Sequence, residues 1–564
     1  MEHHPQNSED LSSSQIDYEA LHSEALEHNH DSFAQRIEKI AESDPELASD
    51  LRLTLRLAEA MVAAGGVALV VGGFARDEAL SRITGRPVES KDIDVEVYGV
   101  EFERVKEIIQ ELGTVNVVGD HFAVAKLKKE ETGHDLDISI PRRDSKTDVG
   151  HRGFLVTGDP CMSVREAARR RDLTINSLAM NPRTGELIDE YGGLEDLKRG
   201  ILRATDPELF PDDPLRVLRV MQFAARFEFE VDPATAELCR GIDLTELPKE
   251  RIGEEWNKLM LKSNRPSVGL EVARNLGVLK QLHPDLEILN TIEQEPDWHP
   301  EGNVWNHTKN ATDAAARVIR EERLSSEDAL VVMYGALCHD LGKATTTELK
   351  EKNGVMRLTA HKHDIKGVEP TKRFLEQLGQ PNRVVEKITP VVREHLFHVG
   401  QPNPSDKVLN NFAQRLNPSS IRLYDLISRC DSNGRGLEWQ VETPSHALYL
   451  RATELGMGEK PVARLIEGHN LAVLGIEGGE FMGVAVGELY DAQVDGKFTD
   501  IEGGLAYYRE HEAQMHKAAA ARVEQRRVQA AKAKIEQDKL ERRAKKQQDH
   551  LDRIAANKSL RPKA

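Results

Sequence analysis

Two aspartates, Asp92 and Asp94, have the type and spacing that most directly suggest chemistry, and Glu96 continues the same alternation. Side chains two positions apart on a strand point to one face, so the two carboxylates should lie together. Adjacent carboxylates repel each other unless a cation lies between them, and a divalent metal ion is the usual one. An isolated Asp-x-Asp can also be a solvated acidic strand, so the pair needs supporting features.

A glycine pair, Gly72 and Gly73, follows a short apolar segment predicted as a strand (residues 68–71) and precedes a predicted helix that contains Arg76. Glycine lets the backbone approach a polyphosphate closely, and the N-terminus of the following helix favours negative charge. With the aspartates, this arrangement predicts metal-assisted transfer of a nucleotidyl group.

A basic cluster, Arg169-Arg170-Arg171, is followed by Asp172 and, four residues later, by Asn176. One interpretation is that Arg170 or Arg171 neutralises a triphosphate while Asn176 donates a hydrogen bond to a phosphate or accepts one from a ribose. The alternative is a helix that carries arginines for solubility.

A possible base-reading pair begins the next helical segment, where Pro214 suits the first turn of a helix. Asp213 and Arg216 are three positions apart, so the pattern places them on one helical face. A carboxylate accepts from the amino group of cytosine or adenine, while a guanidinium donates to the neighbouring ring nitrogen. Guanine and uracil present the opposite order and would leave buried polar groups unpaired. Taken alone, the pair could equally be a weak surface ion pair.

A second set of candidate ligands is spread over the C-terminal half of the chain. Imidazole and carboxylate together suit Mg²⁺, Mn²⁺ or a divalent transition metal, and a bound metal would acidify water for attack on a phosphate ester. Isolated histidines in a helical protein are more often hydrogen-bonded core residues. The candidates are His307, the adjacent His339 and Asp340, His363, His395 and Asp431.

Composition limits the function classes that need to be considered. Hydrophobic residues make up 39% of the 564 residues and charged residues 30%, and no apolar run approaches the roughly 20 residues that span a bilayer. The formal net charge of −19 argues against nonspecific coating of nucleic acid. Scattered cysteines and a polar N-terminus predict a cytoplasmic protein with no signal peptide and no membrane contact.

The predicted organisation is an α+β head followed by mostly helical segments. Residues 122–127 and 136–140 have strand patterns, and helical periodicity dominates after residue 211. Residues 516–564 carry fifteen Lys and Arg against six Asp and Glu. The predicted segments are a polar extension (1–50), the head (51–205), a helical neck and body (206–295), a metal-containing domain (296–445), a helical segment (446–512) and a basic extension (513–564).

The motifs, in this order over roughly residues 68–260, resemble the class II tRNA nucleotidyltransferase (CCA-adding enzyme) and bacterial poly(A) polymerase family. The resemblance implies a polymerase-β-like nucleotidyltransferase head. It implies that Asp92 and Asp94 bind catalytic Mg²⁺, with Asp137 as a further carboxylate, and that Asp213 and Arg216 read the incoming base. The other nucleotide-binding residues that it implies are Gly72, Gly73, Arg76, Arg171, Asp172, Asn176 and Arg219. Asp212 and Gln222 depart from the family pattern of Glu and Arg, which affects the expected fine specificity.

The second set resembles the ligands of HD-superfamily phosphohydrolases. His307, His339-Asp340 and Asp431 match the core ligands, and His363 and His395 match the extra histidines of two-metal members. The segment Trp298-His299-Pro300-Glu301 is similar to that of HD-bearing CCA-adding enzymes. The resemblance implies a divalent metal, of unspecified identity, and hydrolysis of phosphate esters.

One short stretch favours CCA addition within the family. Bacterial poly(A) polymerases have a basic stretch where this chain has Gly119-Asp120-His121-Phe122. The expected activity is therefore template-independent addition of C, C and A to tRNA from CTP and ATP, with release of pyrophosphate. The alternatives are a poly(A) polymerase, an enzyme that adds only A or only CC, an HD phosphohydrolase with a nucleotide-binding head, and an RNA-binding protein with two decayed sites. The sequence leaves the oligomeric state open.

Overall fold

The computed structural model describes residues 33–85, 92–117, 124–128, 135–146 and 154–517, and a few positions between 520 and 534. They fall into two compact units. The first comprises Met1–Val385 with Cys430–Trp439, and the second comprises Glu386–Arg429 with Gln440–Ala564. The basic extension lies almost entirely outside the described residues, as does the stretch Gly119–Phe122.

A seven-stranded mixed sheet forms the centre of the first unit, in the order β3-β4-β5-β2-β1-β8-β9. Strands β2 and β5 run parallel, and the other neighbours in this sheet are antiparallel. The α+β head is therefore confirmed. Its strands are β1 Val67–Val71, β2 Asp94–Tyr98, β3 Thr114–Val117, β4 Val124–Lys128, β5 Asp135–Ser139, β8 Ala179–Met180 and β9 Leu187–Ile188, with a separate hairpin of β6 Arg142–Lys146 and β7 Phe154–Gly158.

The register of three strands brings the carboxylates together. All five residues of β1 are buried, as their apolar side chains require in the middle of the sheet. Val71 at the end of β1 pairs with Asp94, and Asp94 pairs in turn with Asp137 of β5. Asp137 therefore lies directly beside Asp94, although the two are 43 positions apart in the chain.

Helices cover the head, and two of them lie wholly or partly within the predicted N-terminal extension (1–50). The predicted boundary at residue 50 falls inside α2, where Leu47 and Leu51 are buried, and Phe33 in α1 is 1% exposed. Residues 33–50 therefore belong to the packed structure. The helices of this region are α1 Phe33–Ser43, α2 Pro45–Ala63, α3 Gly73–Thr84, α4 Phe102–Leu112, α5 Val164–Ala168 and α6 Gly193–Arg199, with a 3₁₀ turn at Thr174–Asn176.

The remainder of the first unit is helical apart from two small two-stranded sheets, as the sequence predicts. The strands are β10 Ile201–Leu202, β11 Glu230–Val231, β12 Thr347–Lys352 and β13 Val355–Ala360. The helices are α7 Leu215–Phe227, α8 Pro233–Arg240, α9 Lys249–Lys262, α10 Pro266–Asn275, α11 Val278–Leu282, α12 Pro284–Glu287, α13 Val304–Glu321, α14 Ser326–Cys338, α15 Lys343–Thr346 and α16 His363–Gln377, with 3₁₀ turns at Phe210–Asp212 and Ile288–Thr291.

The second unit is helical throughout its described part. A cluster of buried side chains that includes Leu471, Ala485, Leu489 and Tyr508 forms one of its cores. The division between the units falls within α17 Asn382–Glu394 and α20 Ile421–Asn433. The other helices are α18 Phe397–Gly400, α19 Asp406–Leu416, α21 Pro444–Glu454, α22 Gly468–Ala472, α23 Glu480–Val494 and a final helix over residues 501–517. Among the described residues, no helix is long and apolar enough to cross a bilayer.

Close packing of α9 on the chain after α16 leads to a stability prediction. A Cβ on Gly253 would lie 2.0 Å from the carbonyl oxygen of Leu378. We expect Gly253→Ala to lower the free energy of unfolding by about 1–3 kcal/mol, because overpacking outweighs the gain in helix propensity of up to about 1 kcal/mol.

Urea unfolding of Gly253→Ala and of a matched variant, Gly241→Ala, checks this prediction. Gly241 has φ −80°, and the nearest atom to its added Cβ is 3.5 Å away. The control should therefore stay within about 0.5 kcal/mol of wild type. Equal midpoints for both variants would contradict the close approach of α9 to Leu378.

Candidate functional site

A cavity of about 1000 Å³ opens beside the sheet of the first unit. Cationic side chains outnumber acidic ones in its lining, although the whole chain carries a net charge of −19. This balance suits a polyanionic ligand. The lining comprises Arg76, Arg142, Arg170, Arg171, Arg216, Arg219, Arg226, Arg251, Lys258 and Lys262; Asp92, Asp94, Asp172, Asp212, Asp213 and Glu255; and Gly72, Gly73, Asn176, Leu209, Leu215, Gln222 and Phe223.

The carboxylates of Asp92 and Asp94 both reach this cavity. The alternation predicted that both aspartates lie on one strand. Strand β2 begins at Asp94, however, so Asp92 lies just before it. Partial desolvation and the charges of Asp137 and Asp92 raise the pKa of Asp94, against the opposing effects of Arg171 and Lys126. A carboxylate whose ionised form is disfavoured in this way fits a site for a divalent cation, which would relieve the repulsion.

Gly72 allows the backbone to come close to the charged groups of the cavity. It has φ +69°, a conformation that residues with a side chain rarely adopt. A Cβ at this position would lie 3.1 Å from Arg171 Nη1 and 3.7 Å from Asp94 Oδ2. A side chain here would therefore fill the space between the cation and the carboxylate.

Three of the predicted nucleotide-binding residues form one network. The buried Arg76 donates from Nε to Asp77 and from Nη1 to Asn176 Oδ1, each at 2.7 Å. Arg171 lies 3.4 Å from Glu96 Oε2 and donates to the backbone oxygen of Asn176 at 3.4 Å. Arg76 and Asn176 are therefore oriented by the protein itself, and the Arg171 side chain is the more accessible cation.

Asp172 is buried and accepts hydrogen bonds from two other residues of the cavity wall, Arg219 and Asn176. Its Oδ2 accepts from Arg219 Nε at 2.5 Å, and its Oδ1 accepts from Asn176 Nδ2 at 2.9 Å and from the Leu173 amide at 2.8 Å. Burial alone would raise the pKa of Asp172, but the charge of Arg219 and these hydrogen bonds lower it. The residue remains ionised, and it positions Arg219 and Asn176.

The two predicted base readers both line the cavity, but Asp213 does not lie on the helix. Helix α7 begins at Leu215, and Asp213 precedes it with φ −122° and ψ 99°. Its Oδ1 accepts from the Leu215 amide at 3.1 Å. Arg216 donates to the backbone oxygens of Leu209 at 2.5 Å and Arg170 at 2.6 Å. Because a guanidinium has five N–H donors, these bonds fix its plane without exhausting its donors.

Sequence reasoning included residues 249–255 among the family motifs but assigned no side chain of α9 to the site. Arg251, Glu255, Lys258 and Lys262 all line it, and Arg251 lies 3.7 Å from Asp213. Their spacing of four, three and four residues places them along one face of a helix, and this pattern was the available signal. Glu255 is 2% exposed and pairs with Lys258 at 2.7 Å.

The second set of predicted residues includes a compact cluster in the first unit, here called the HD cluster: His307, His339, Asp340, His363 and Asp431. His307 Nε2 lies 3.0 Å from Asp431 Oδ1, 3.3 Å from His339 Nε2 and 3.8 Å from Asp340 Oδ2. His363 Nε2 lies 3.3 Å from Asp340 Oδ1. Potential ligand atoms of His307, His339 and Asp340 all lie within 4.8 Å of one another.

Hydrogen bonds from the other ring nitrogens orient the imidazoles. His339 Nδ1 contacts the Ala336 oxygen at 2.8 Å, and His363 Nδ1 contacts the Ala360 oxygen at 2.7 Å. His307 Nδ1 contacts Glu301 Oε1 at 2.7 Å. Metal-binding histidines are commonly held in this way, with Nε2 directed at the ion. Sequence reasoning assigned no role to Glu301.

Charges in the HD cluster favour a bound cation. Burial would lower the pKa of His307, but Asp431 and Glu301 outweigh it and raise this pKa to about 9. Despite burial, Lys343 and His339 hold the pKa of Asp340 well below its usual range. Two imidazoles and two carboxylates that converge in this way match the ligand preferences of divalent transition metals and Mn²⁺.

His395 directly follows α17, in the second unit, and is 2% exposed. Its Nδ1 contacts the backbone oxygen of Val392 at 2.7 Å, the same arrangement that His339 and His363 show.

Three family models match consecutive parts of the chain. They are described as the poly A polymerase head domain (residues 68–203), the probable RNA and SrmB-binding site of polymerase A (residues 228–289) and the HD domain (residues 304–429). The fold and the two sites thus define a nucleotidyltransferase that carries an HD domain. Both kinds of domain generally use divalent metal ions.

The chain belongs to the tRNA nucleotidyltransferase and poly(A) polymerase family, which confirms the resemblance of its motifs. The multifunctional CCA protein of Xanthomonas campestris pv. campestris (strain B100) is 33% identical over 377 residues, covering 65% of this chain and 85% of the relative. That of Xylella fastidiosa (strain M23) is 30% identical over 408 residues, covering 70% and 91%.

Solved structures confirm the fold. The Bacillus stearothermophilus CCA-adding enzyme in complex with CTP is 19% identical with a TM-score of 0.55, covering 82% of this chain and 98% of that one. The Thermotoga maritima CCA-adding enzyme complexed with tRNA is also 19% identical, with a TM-score of 0.51 and coverage of 84% and 98%.

Proposed function

We propose that this protein adds the 3′-terminal C, C and A to tRNA from CTP and ATP, with release of pyrophosphate. The observation that carries the proposal is a single cavity into which the carboxylates of Asp92 and Asp94 and the base-reading candidates Asp213 and Arg216 all open. The names of the relatives, multifunctional CCA proteins, support the same activity.

The carboxylates are the catalytic residues in this proposal. The 3′-hydroxyl of the tRNA attacks the α-phosphorus of the nucleotide in line, and pyrophosphate leaves. Asp92 and Asp94 would hold Mg²⁺, with Asp137 beside them, and the ion would supply charge stabilisation and a more acidic hydroxyl. The raised pKa of Asp94, caused by desolvation and by the neighbouring charges of Asp137 and Asp92, supports this assignment, because a divalent cation would relieve that repulsion.

The triphosphate would lie along the Gly72-Gly73 turn. There the start of α3 and the Arg171 guanidinium both favour negative charge. Asn176 presents its backbone oxygen to Arg171, and its side chain is held by Arg76 and Asp172. We therefore assign Arg171 to phosphate binding and the buried Arg76–Asn176–Asp172 network to its support.

Asp213 and Arg216 would select the base without a template. Arg216 is fixed by two backbone carbonyls, so its remaining donors are directed before a nucleotide arrives. Asp213 lies outside the helix, and its carboxylate can accept from an exocyclic amino group. Together they match the acceptor and donor order of cytosine and adenine.

Replacement of Arg216 by alanine tests this assignment. We expect kcat/KM for CTP to fall about 10- to 100-fold, because a hydrogen bond to a charged group is lost, and selectivity for CTP over UTP to decline in parallel. Steady-state kinetics with each nucleotide measure both quantities. Arg240→Ala, at an exposed helix end, is the control. A selectivity ratio that stays at its wild-type value would rule out base reading by Arg216.

Primer extension tests the proposed activity. The protein is incubated with tRNA that lacks its 3′ CCA, with CTP alone, ATP alone or both. Two additions with CTP and a third with both nucleotides would support CCA addition. Long A tracts from ATP alone would indicate a poly(A) polymerase, and addition of only A or only CC would indicate a partial activity.

We propose hydrolysis of phosphate esters as a second activity, on the strength of the HD cluster. His307, His339, Asp340 and Asp431 would hold a divalent metal ion, which when bound acidifies water. The buried ion pair between Lys343 and Asp340, at 2.6 Å, places a cation beside this centre. Release of inorganic phosphate from nucleoside monophosphates in the presence of Mn²⁺ or Mg²⁺ tests the proposal.

The proposed domain limits are those predicted from the sequence, except that the described helices of the first unit include residues 33–50. The three matched family regions lie inside the predicted head (51–205), neck and body (206–295) and metal-containing domain (296–445). All four cysteines are free, which supports a reducing compartment, and we propose the cytoplasm.

A further inference from the structure

A second cavity, of about 370 Å³, lies beside the nucleotide cavity on the sheet of the head. Gly72, Gly73 and Arg76 line the first cavity and not the second. The second cavity therefore adjoins the candidate catalytic carboxylates but lies apart from the turn proposed to hold the triphosphate. The residues common to both cavities are Asp94, Arg142, Arg170 and Arg171.

Strand register builds the floor of the second cavity. Glu96 of β2 pairs with Ser139 of β5, next to the pair formed by Asp94 and Asp137. Residues two positions apart on a strand share a face, so these four side chains lie on one face of the sheet. All four line the cavity. The floor thus presents a carboxylate and a hydroxyl, Glu96 and Ser139, directly beside the candidate metal ligands.

The Glu96 carboxylate is held in place by its neighbours. The hydroxyl of the buried Tyr98 donates to Glu96 Oε2 at 2.6 Å, and Arg171 Nη2 lies 3.4 Å from the same oxygen. Because a carboxylate has about four acceptor sites, these contacts leave Glu96 able to accept from a ligand. The Ser139 hydroxyl donates to the Val95 backbone oxygen at 3.5 Å, a long and therefore weak hydrogen bond that a ligand can replace.

In-line attack determines which part of the acceptor strand meets this cavity. The attacking 3′-hydroxyl and the departing pyrophosphate lie on opposite sides of the α-phosphorus. The triphosphate is assigned to the Gly72-Gly73 turn, in the first cavity. The terminal ribose of the acceptor strand therefore has to lie on the other side of Asp94, where the second cavity begins.

We propose that the second cavity holds this terminal ribose and that Glu96 and Ser139 bind its 2′-hydroxyl, so that they select an RNA end over a DNA end. The inference rests on the proposed nucleotide addition. A 2′-hydroxyl can donate to the Glu96 carboxylate and accept from the Ser139 hydroxyl. A 2′-deoxyribose would leave the carboxylate without that donor, at a cost in free energy. Arg142 and Arg170 then face the phosphate that joins this ribose to the rest of the strand.

Two acceptors that differ by one oxygen atom test the proposal. Transfer RNA that lacks CCA is prepared with a ribose or a 2′-deoxyribose at its 3′ end, and extension with CTP is measured. In wild type, kcat/KM should be about 10- to 100-fold lower for the deoxyribose end, because a hydrogen bond to a charged group is lost.

Variants of the two floor residues should reduce this ratio. In Ser139→Ala and in Glu96→Gln, slower use of the ribose end should shrink it at least about threefold, because a donor is lost or a charged acceptor becomes a neutral one. The matched control is Glu107→Gln, the same change at an exposed ion pair with Arg104, and it should keep the wild-type ratio.

An equal loss with both acceptors would show that Glu96 acts on the metal site or on Arg171, and it would overturn the proposal, as would a wild-type ratio near one. Fluorescence anisotropy of the two tRNAs in Mg²⁺ without nucleotide gives a readout that does not depend on turnover. If neither acceptor is extended but the ribose end binds more tightly, by a factor that declines in Ser139→Ala, nucleotide addition fails and the ribose site stands. No extension together with equal binding of the two ends would overturn both.

Discussion

Replacement of Asp94 by asparagine is expected to reduce nucleotide addition by at least about 1000-fold, because the loss of one carboxylate from a metal site removes several kcal/mol of transition-state stabilisation. The side chain keeps its shape but no longer carries charge. Asp94 occupies the position where β1, β2 and β5 meet, and its neighbours Asp92 and Asp137 cannot take its place in the register. Primer extension under single-turnover conditions measures the loss.

The matched control is Glu103→Gln, which makes the same chemical change at an exposed ion pair with Lys106 on the surface of the head. It should leave the rate unchanged. Hydrolysis at the HD cluster should also be unaffected in Asp94→Asn, which excludes a global folding defect. Extension by Asp94→Asn at a rate within about tenfold of wild type would remove Asp94 from the catalytic set.

For the candidate catalytic groups of the head, the sequence predicted the residue types better than their positions in the fold. Alternation correctly placed Asp94 at a strand, but Asp92 lies before that strand. The pairing of Asp94 with Asp137 depends on the register of a parallel strand pair, which local pattern does not determine. The family resemblance supplied Asp137, and the structure shows why it is adjacent.

The candidate base-reading pair, Asp213 and Arg216, shows how a proline changes a local prediction. The i,i+3 spacing placed Asp213 and Arg216 on one helical face. Pro214 lies at the cap position, so the residue before it adopts an extended conformation. Both side chains line the cavity, Asp213 from the segment before α7 and Arg216 from α7 itself. The backbone oxygens that accept hydrogen bonds from Arg216 belong to Leu209 and Arg170, and sequence spacing alone cannot reveal these contacts.

The HD cluster was predicted from residue types, and its supporting residues were not. His339 and Asp340 are adjacent in the chain, so their grouping was visible. Glu301 and Gln294 act through tertiary contacts with His307 and Lys343, and neither contact has a short sequence signature. The available signal was the Trp298–Glu301 segment, which was noted for its resemblance only.

Asp340→Asn is expected to abolish phosphate-ester hydrolysis and metal-dependent stabilisation while nucleotide addition continues. The Asp340 carboxylate lies 3.3 Å from His339, 3.3 Å from His363 and 2.6 Å from Lys343. An amide removes the negative charge that these donors surround, and a metal site that loses an anionic ligand binds its ion far more weakly. In wild type, a divalent ion at 100 times its Kd should add about 2.7 kcal/mol to stability.

Scanning calorimetry with Mn²⁺ and with EDTA measures this stabilisation, and phosphate release measures the activity. Asp328→Asn, in the first turn of α14, the helix that precedes His339 and Asp340, is the matched control and should keep both. A rise in Tm with Mn²⁺ in Asp340→Asn equal to that of wild type would show that the ion binds elsewhere.

The same variant tests whether the two centres act independently. Helix α14 leads directly into His339 and Asp340, and its Tyr334 hydroxyl donates to Asn257 of α9 at 2.7 Å. Helix α9 also lines the nucleotide cavity, through residues that include Arg251 and Lys258. The hydrogen bond joins two helices whose positions are already fixed by packing. We therefore expect Asp340→Asn to have little effect on nucleotide addition. Loss of nucleotide addition in a folded Asp340→Asn protein would contradict this independence and would identify Tyr334 and Asn257 as the first residues to vary.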